Sequence, residues 1–167
     1  KEFLNTISGY DQAAAFLSDY MPVRNGRIGP RDINSKIRRF LRKPLKYKVL
    51  AKRRFFKKAV LALGNSICAP AVTYHKSLLG PSYFTSQLKF NIDWDTFLKL
   101  AQEKWPLAYA EKPLTFYRIH GKATSMEFIE NHGRESEDAK MFQKFWSGWV
   151  ADIIMHFYIK AYDTYKH

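Results

Sequence analysis

Two closely spaced acids, and an arginine and histidine downstream of them, are the residues of this chain best suited to chemistry. Asp93 and Asp95 open a stretch with helical spacing, and Arg118 and His120 end a strand-like run that follows. Asn91 is a candidate N-cap, which puts Asp93 in the first turn of the predicted helix. Trp94, Phe97, Leu98, Ala101 and Trp105 recur on one face of that helix and call for burial. A two-residue step turns through roughly 200° in a helix of about 3.6 residues per turn, so the two carboxylates point apart. One is offered to a cleft, and the other is free to pair with Lys99 four positions on. A single acid at a helix start, near an Arg and a His at a strand end, suits a general base held beside an anionic substrate. The plain alternative is an Asp that only offsets the helix dipole.

The elements that must position these residues follow from composition and pattern. At 167 residues the chain is long enough for one domain with a real core and too short for two large ones. A hydrophobic share of 46% with 16% aromatics excludes a disordered chain. One cysteine, Cys68, excludes an internal disulfide, favours a reducing compartment and reads as a small buried hydrophobe. No apolar run approaches the ~20 residues that cross a bilayer, and nothing resembles a signal peptide. The expected location is cytoplasmic, peripheral at the inner face of the plasma membrane. The chain begins at Lys1, not at a methionine, which suggests a piece of a longer protein.

A formal charge of +13 points to an anionic partner: nucleic acid, a membrane face, or nucleotide and phosphate ligands. Twelve Lys or Arg residues and no acid lie between positions 36 and 58, and Pro44 divides this stretch into two predicted helices. Lys36, Arg38, Arg39, Arg42, Lys52, Arg53 and Arg54 are its candidate anion-binding residues. The bland reading is a pair of solvated helices with one face on the core. The functional one is a patch for anionic lipid, a polyphosphate-bearing substrate or nucleic acid. Nucleic acid is disfavoured, because the aromatics concentrate far away in a C-terminal stripe from Phe142 to Tyr165.

In order, the chain predicts a short helix within 1–12, a buried strand at 13–17, and a hairpin at 21–28 turned on Asn25-Gly26. A buried strand at 67–74, bulged or edged by Pro70, precedes a turn of helix at 75–79. Two strand-like runs at 106–110 and 114–119 flank Glu111-Lys112-Pro113. One long helix begins near Glu135, with an unbroken apolar stripe over the last third of the chain.

Three runs carry a family resemblance: the strand Ile67-Cys68-Ala69-Pro70-Ala71-Val72-Thr73-Tyr74; the helix Asn91-Ile92-Asp93-Trp94-Asp95-Thr96-Phe97-Leu98; and Ala108-Tyr109-Ala110 with Tyr117-Arg118-Ile119-His120 and Thr124-Ser125. In that order they resemble the carboxyl half of a family 2 glycosyltransferase, the inverting nucleotide-sugar enzymes of the GT-A fold. Arg134, Glu137-Asp138 and Lys144-Phe145-Trp146 resemble the tail of bacterial members that build surface polysaccharides.

The resemblance implies an α/β fold: an incomplete mixed sheet flanked by helices, with the acceptor-side part over residues 1–130, a basic helical insertion at 31–63 and a C-terminal amphipathic helix at 131–167. It makes Asp93 the catalytic base. Arg118, His120, Trp94 and Asp95 become contacts to the donor diphosphate or the acceptor, with His120 the candidate metal contact. The implied partners are a nucleotide-sugar donor, a saccharide or lipid-linked acceptor, and Mn²⁺ or Mg²⁺ held mainly by an Asp-x-Asp upstream of Lys1. Two departures stand out: Ile92 replaces the Glu often found before the base, and Asp93-Trp94-Asp95 has the metal-motif letters in the helix where the base belongs. The chain alone is therefore expected to be inactive. Its truncated sheet is expected to leave 13–17 or a neighbouring strand as a raw edge, open to pairing with a second copy. The alternative readings are a basic module that binds anionic membrane or nucleic acid, and a non-catalytic scaffold.

Overall fold

The buried run Ala13-Ala14-Ala15 leads into the strand at the centre of the sheet, which continues with buried Phe16 and Leu17. The computed structural model describes residues 1–24, 26–30, 33–80, 83–119 and 133–160. Strand β1 (Ala15–Arg24) pairs antiparallel with β2 (Arg27–Ile28), with Arg24 opposite Arg27; Asn25 lies outside the described residues. Gly26 has a φ of 76°, a left-handed conformation that costs glycine little. On the same side of β1, strand β3 (Val72–Tyr74) pairs antiparallel from Ala15↔Tyr74 to Leu17↔Val72. Strand β4 (Leu107–Ile119) runs parallel along the other side. The fold is thus mixed α/β, with a four-stranded, partly antiparallel open sheet.

This topology moves the predicted edge. Residues 13–17 feed a strand with neighbours on both sides, so they are not a raw edge. Among the described strands the open edges fall on its neighbours, including β4. Glu111-Lys112-Pro113 does not split β4 in two. The register slips there, from Ser18↔Ala110 to Asp19↔Pro113 and Tyr20↔Thr115, so the extra residues bulge out of a continuous strand. The predicted strand at 67–74 shrinks to three residues, because Ala69–Ala71 form a 3₁₀ turn that suits the fixed φ of Pro70.

The described residues form eight α-helices: α1 (Glu2–Ile7), α2 (Ile33–Arg42), α3 (Lys48–Lys52), α4 (Arg54–Ala59), α5 (Lys76–Leu79), α6 (Ile92–Gln102), α7 (Gly133–Gln143) and α8 (Gly148–Lys160). The basic stretch breaks more often than Pro44 alone predicts. Pro44 sits in a 3₁₀ turn after α2, and Tyr47 and Arg53 are extended before α3 and α4. The single C-terminal helix is also overturned. A turn at 144–147, next to Ser147-Gly148, separates α7 from α8 and re-phases the stripe. Phe142 therefore packs edge-on against Trp94 at 5.1 Å, while Trp149, Ile153 and Phe157 face outward. Both helices join the same core as the sheet, through Met141, Phe142, Ala151 and Met155 against Trp94, Leu17 and Leu107. Among the described residues, no helix is long and apolar enough to cross a membrane.

Candidate active site at the start of the Asp93 helix

Asn91 precedes α6, but its side chain makes no cap bond; its Nδ2 donates instead to Asp138 Oδ1 at 2.7 Å. The approach to the helix is fastened from α7. Glu137 accepts hydrogen bonds from the backbone N–H groups of Lys89, Phe90 and Asn91 at 2.7, 2.8 and 2.8 Å. Burial would push the Glu137 carboxyl up, yet these three donors hold it below the usual carboxylate range. Asp138 is fully buried and also accepts from Arg134 Nε at 3.2 Å, and the Arg134 guanidinium lies 4.8 Å over the Phe90 ring. Arg134, Glu137 and Asp138 thus lock the loop that delivers Asp93. Replacing Glu137 by Ala is expected to cost about 2 kcal/mol in urea unfolding and to speed amide exchange at 89–91.

Asp93 sits half-buried in the first turn of α6. Its Oδ2 accepts from Asn65 Nδ2 at 2.9 Å and its Oδ1 from the Trp94 backbone N–H at 2.8 Å. Burial pushes its pKa above the usual aspartate value, and the Trp94 N–H, the Asn65 amide and the nearby Arg134 charge offset this only in part. Asp95 behaves in the opposite way. It pairs with Lys144 Nζ at 2.6 Å and with Lys99 Nζ at 3.2 Å, the latter being the predicted four-residue partner. Burial would raise its carboxyl too, but Lys144, Ser86 and Lys99 together hold it low. Neighbouring acids with pKa values pushed apart divide into a proton acceptor and a permanently charged structural group. Removing the Asn65 amide, as in Asn65→Leu, is expected to raise the Asp93 midpoint further in an NMR titration, because a bond that favours the charged form is lost.

A pocket of about 320 Å³ opens between α2 and α8, and Asp93 is not among the residues that line it. Ile37, Leu41, Leu63 and Ile154 give it apolar walls, and Arg38 and Arg134 give it cationic ones. Gly64 is part of the wall, with a φ of 122°; a Cβ there would come within 2.7 Å of the Tyr158 ring. The chain then passes directly to Asn65, the Asp93 partner. Arg134 lines the pocket and its charge also favours the ionised form of Asp93, which links the two electrostatically. Nearby Cys68 is pushed up to about 11 by burial, which leaves an uncharged thiol and no nucleophile.

The other sequence candidates separate. Trp94 is fully buried against Phe142, Phe145 and Tyr158, so it is a core residue and not a substrate wall. Asp95 is committed to its two lysines and is not a substrate contact. Arg118 stands exposed on β4 opposite Val23, and the cation set toward Asp93 is Arg134. His120 and Thr124-Ser125 lie outside the described residues.

In the basic stretch, Arg42 is not an anion-binding surface residue. It is buried, paired with buried Asp19 and hydrogen-bonded to the Ser66 carbonyl. Arg39 also meets Asp19, at 3.1 Å, and Glu111 at 3.1 Å, so its charge is answered within the protein. Lys36, Lys52, Arg53 and Arg54 are exposed, while Arg38 is half-buried at the pocket. Among the described residues, no group of three or more His, Cys, Asp or Glu side chains is placed to hold a metal ion. The described residues therefore do not by themselves fit the Mn²⁺ or Mg²⁺ site that the resemblance implies.

Sequence reasoning missed Asn65 as a partner of Asp93, and the electrostatic link of Arg134 to it. The available signal was the polar residue following Gly64 and the Arg134, Glu137, Asp138 spacing in α7. No protein-family model, curated protein or solved structure matches the chain.

Proposed function

We propose that this chain carries the acceptor side of an inverting, nucleotide-sugar-dependent glycosyl transfer site of the family 2 type. Asp93 is the base. As the acceptor oxygen forms its bond to the anomeric carbon, the bond from that carbon to the donor diphosphate breaks on the opposite face. The acceptor proton passes to Asp93, and the nucleoside diphosphate leaves with the bonding electrons. Arg38 and Arg134 supply positive charge at the pocket between α2 and α8 for an anionic part of a substrate.

The observation that carries this reading is the state of the Asp93 carboxyl: a raised pKa, a fixed orientation through Asn65 and Trp94, and no ion pair among the described residues. A carboxylate tied into a salt link would be a poorer proton acceptor, and Asp95 provides that contrast two residues away. The test is transfer by the full-length gene product from a panel of nucleotide sugars to saccharide and lipid-linked acceptors. Product with an inverted anomeric configuration supports the reading. Retained configuration, or no transfer with any donor, contradicts it.

A further inference from the structure

We infer that α2 and α8 together form a face that docks on an anionic lipid bilayer. On α2, Ile33, Ile37 and Phe40 are 73%, 51% and 66% exposed and, at helical spacing, fall within about 60° of arc. On α8, Trp149, Ile153 and Phe157 are 71%, 51% and 67% exposed and fall within about 80° of arc. The two stripes meet, because Ile37, Ile153 and Phe157 all line the pocket between the helices. Six large apolar side chains on adjoining faces form the kind of exposed patch that marks an interaction surface.

Cations border the patch in a way that selects the partner. Lys43 Nζ lies 5.5 Å from the Phe40 ring centre and Lys160 Nζ 5.9 Å from that of Phe157, while Lys36 is exposed beside the α2 stripe. Asp152 and His156 share the exposed side of α8. Aromatic side chains that enter the headgroup layer, with ammonium groups reaching phosphates beside them, match the chemistry of an anionic membrane surface. A second copy is a poorer occupant, since a chain of formal charge +13 would meet its own sign across the face. Nucleic acid is poorer too, because Ile33, Ile37 and Ile153 neither stack on bases nor bind phosphate.

Flotation of the full chain with phosphatidylcholine vesicles, with and without phosphatidylglycerol, tests this directly. Binding is expected only with the anionic lipid and is expected to weaken at high salt. The exposed pair Trp149→Ser/Phe157→Ser should lower partitioning roughly tenfold or more while leaving the unfolding midpoint unchanged. Lys36→Gln/Lys43→Gln should also lower it. Asp93→Asn should float like the parent, so this result is separate from the fate of the transfer reaction. Failure to bind anionic vesicles would overturn the inference, as would full binding by the Trp149/Phe157 variant. So would displacement of the chain from vesicles by duplex DNA, or a dimer that the same variant converts to monomer.

Discussion

In the transfer reaction proposed for the full-length product, Asp93→Asn is expected to lower turnover by about 10²–10⁴-fold, the usual contribution of a positioned general base, and to leave donor binding intact. The amide has the shape of the acid and an oxygen that still accepts the Trp94 N–H, but its NH₂ then faces the Asn65 NH₂ and that hydrogen bond is lost. What it cannot do is take a proton. Folding stability should not fall with activity, and the sign follows from the raised pKa. Between the ordinary aspartate value and the raised one, the folded chain keeps a proton that the unfolded chain has released. Stability therefore declines as pH rises through that window, and above it the half-buried charge is a standing cost to the fold. Asp93→Asn removes that cost, and the lost Asn65 bond, worth about 1 kcal/mol, offsets it, so at neutral pH the variant should unfold within about 1 kcal/mol of the parent. Wild-type turnover by this variant would remove Asp93 from the chemistry.

The largest effect on stability is expected at Arg42. Its guanidinium and the Asp19 carboxylate are both 2% exposed. Arg42→Ala removes the buried guanidinium that faces Asp19 and leaves that carboxylate buried, a change expected to cost about 3–5 kcal/mol in urea unfolding. Lys36→Ala, on the solvent side of the same helix, should stay within about 0.5 kcal/mol of the parent. The Arg42 loss should also reach the surroundings of Asp93. Arg42 holds the carbonyl of Ser66, which follows Asn65, the residue that orients Asp93. Replacing both members of the buried pair with apolar residues, as in Arg42→Met/Asp19→Leu, should recover much of the lost stability, since neither charge is then stranded.

The contrast between Arg42 and Lys36 shows where sequence reading stopped. Twelve cations between 36 and 58 looked uncompensated because their acids lie elsewhere: Asp19 and Glu111 answer Arg39, and Asp19 answers Arg42. Spacing along one helix cannot show a partner on a strand more than twenty positions earlier. Local rules held where the cause was local. The divergent carboxylates of Asp93 and Asp95, the Asp95–Lys99 pair and the antiparallel return from Arg24 to Arg27 all rest on backbone geometry within a few residues. They failed where a short break re-phased a pattern. The turn before Gly148 sends Phe142 inward and leaves Trp149 and Phe157 outside, although all three lie on one continuous stripe in the sequence. Asn65 was invisible for a related reason, since its role depends on a helix that begins almost thirty residues later.

The central claim is that Asp93, and not Asp95, is the carboxyl poised to accept a proton. A pH titration of the two side-chain carboxyl resonances by NMR tests it on this chain without any substrate. The account requires Asp93 to titrate above the ordinary aspartate value and Asp95 below it. An Asp93 resonance that ionises at or below the pH at which Asp95 does would contradict it.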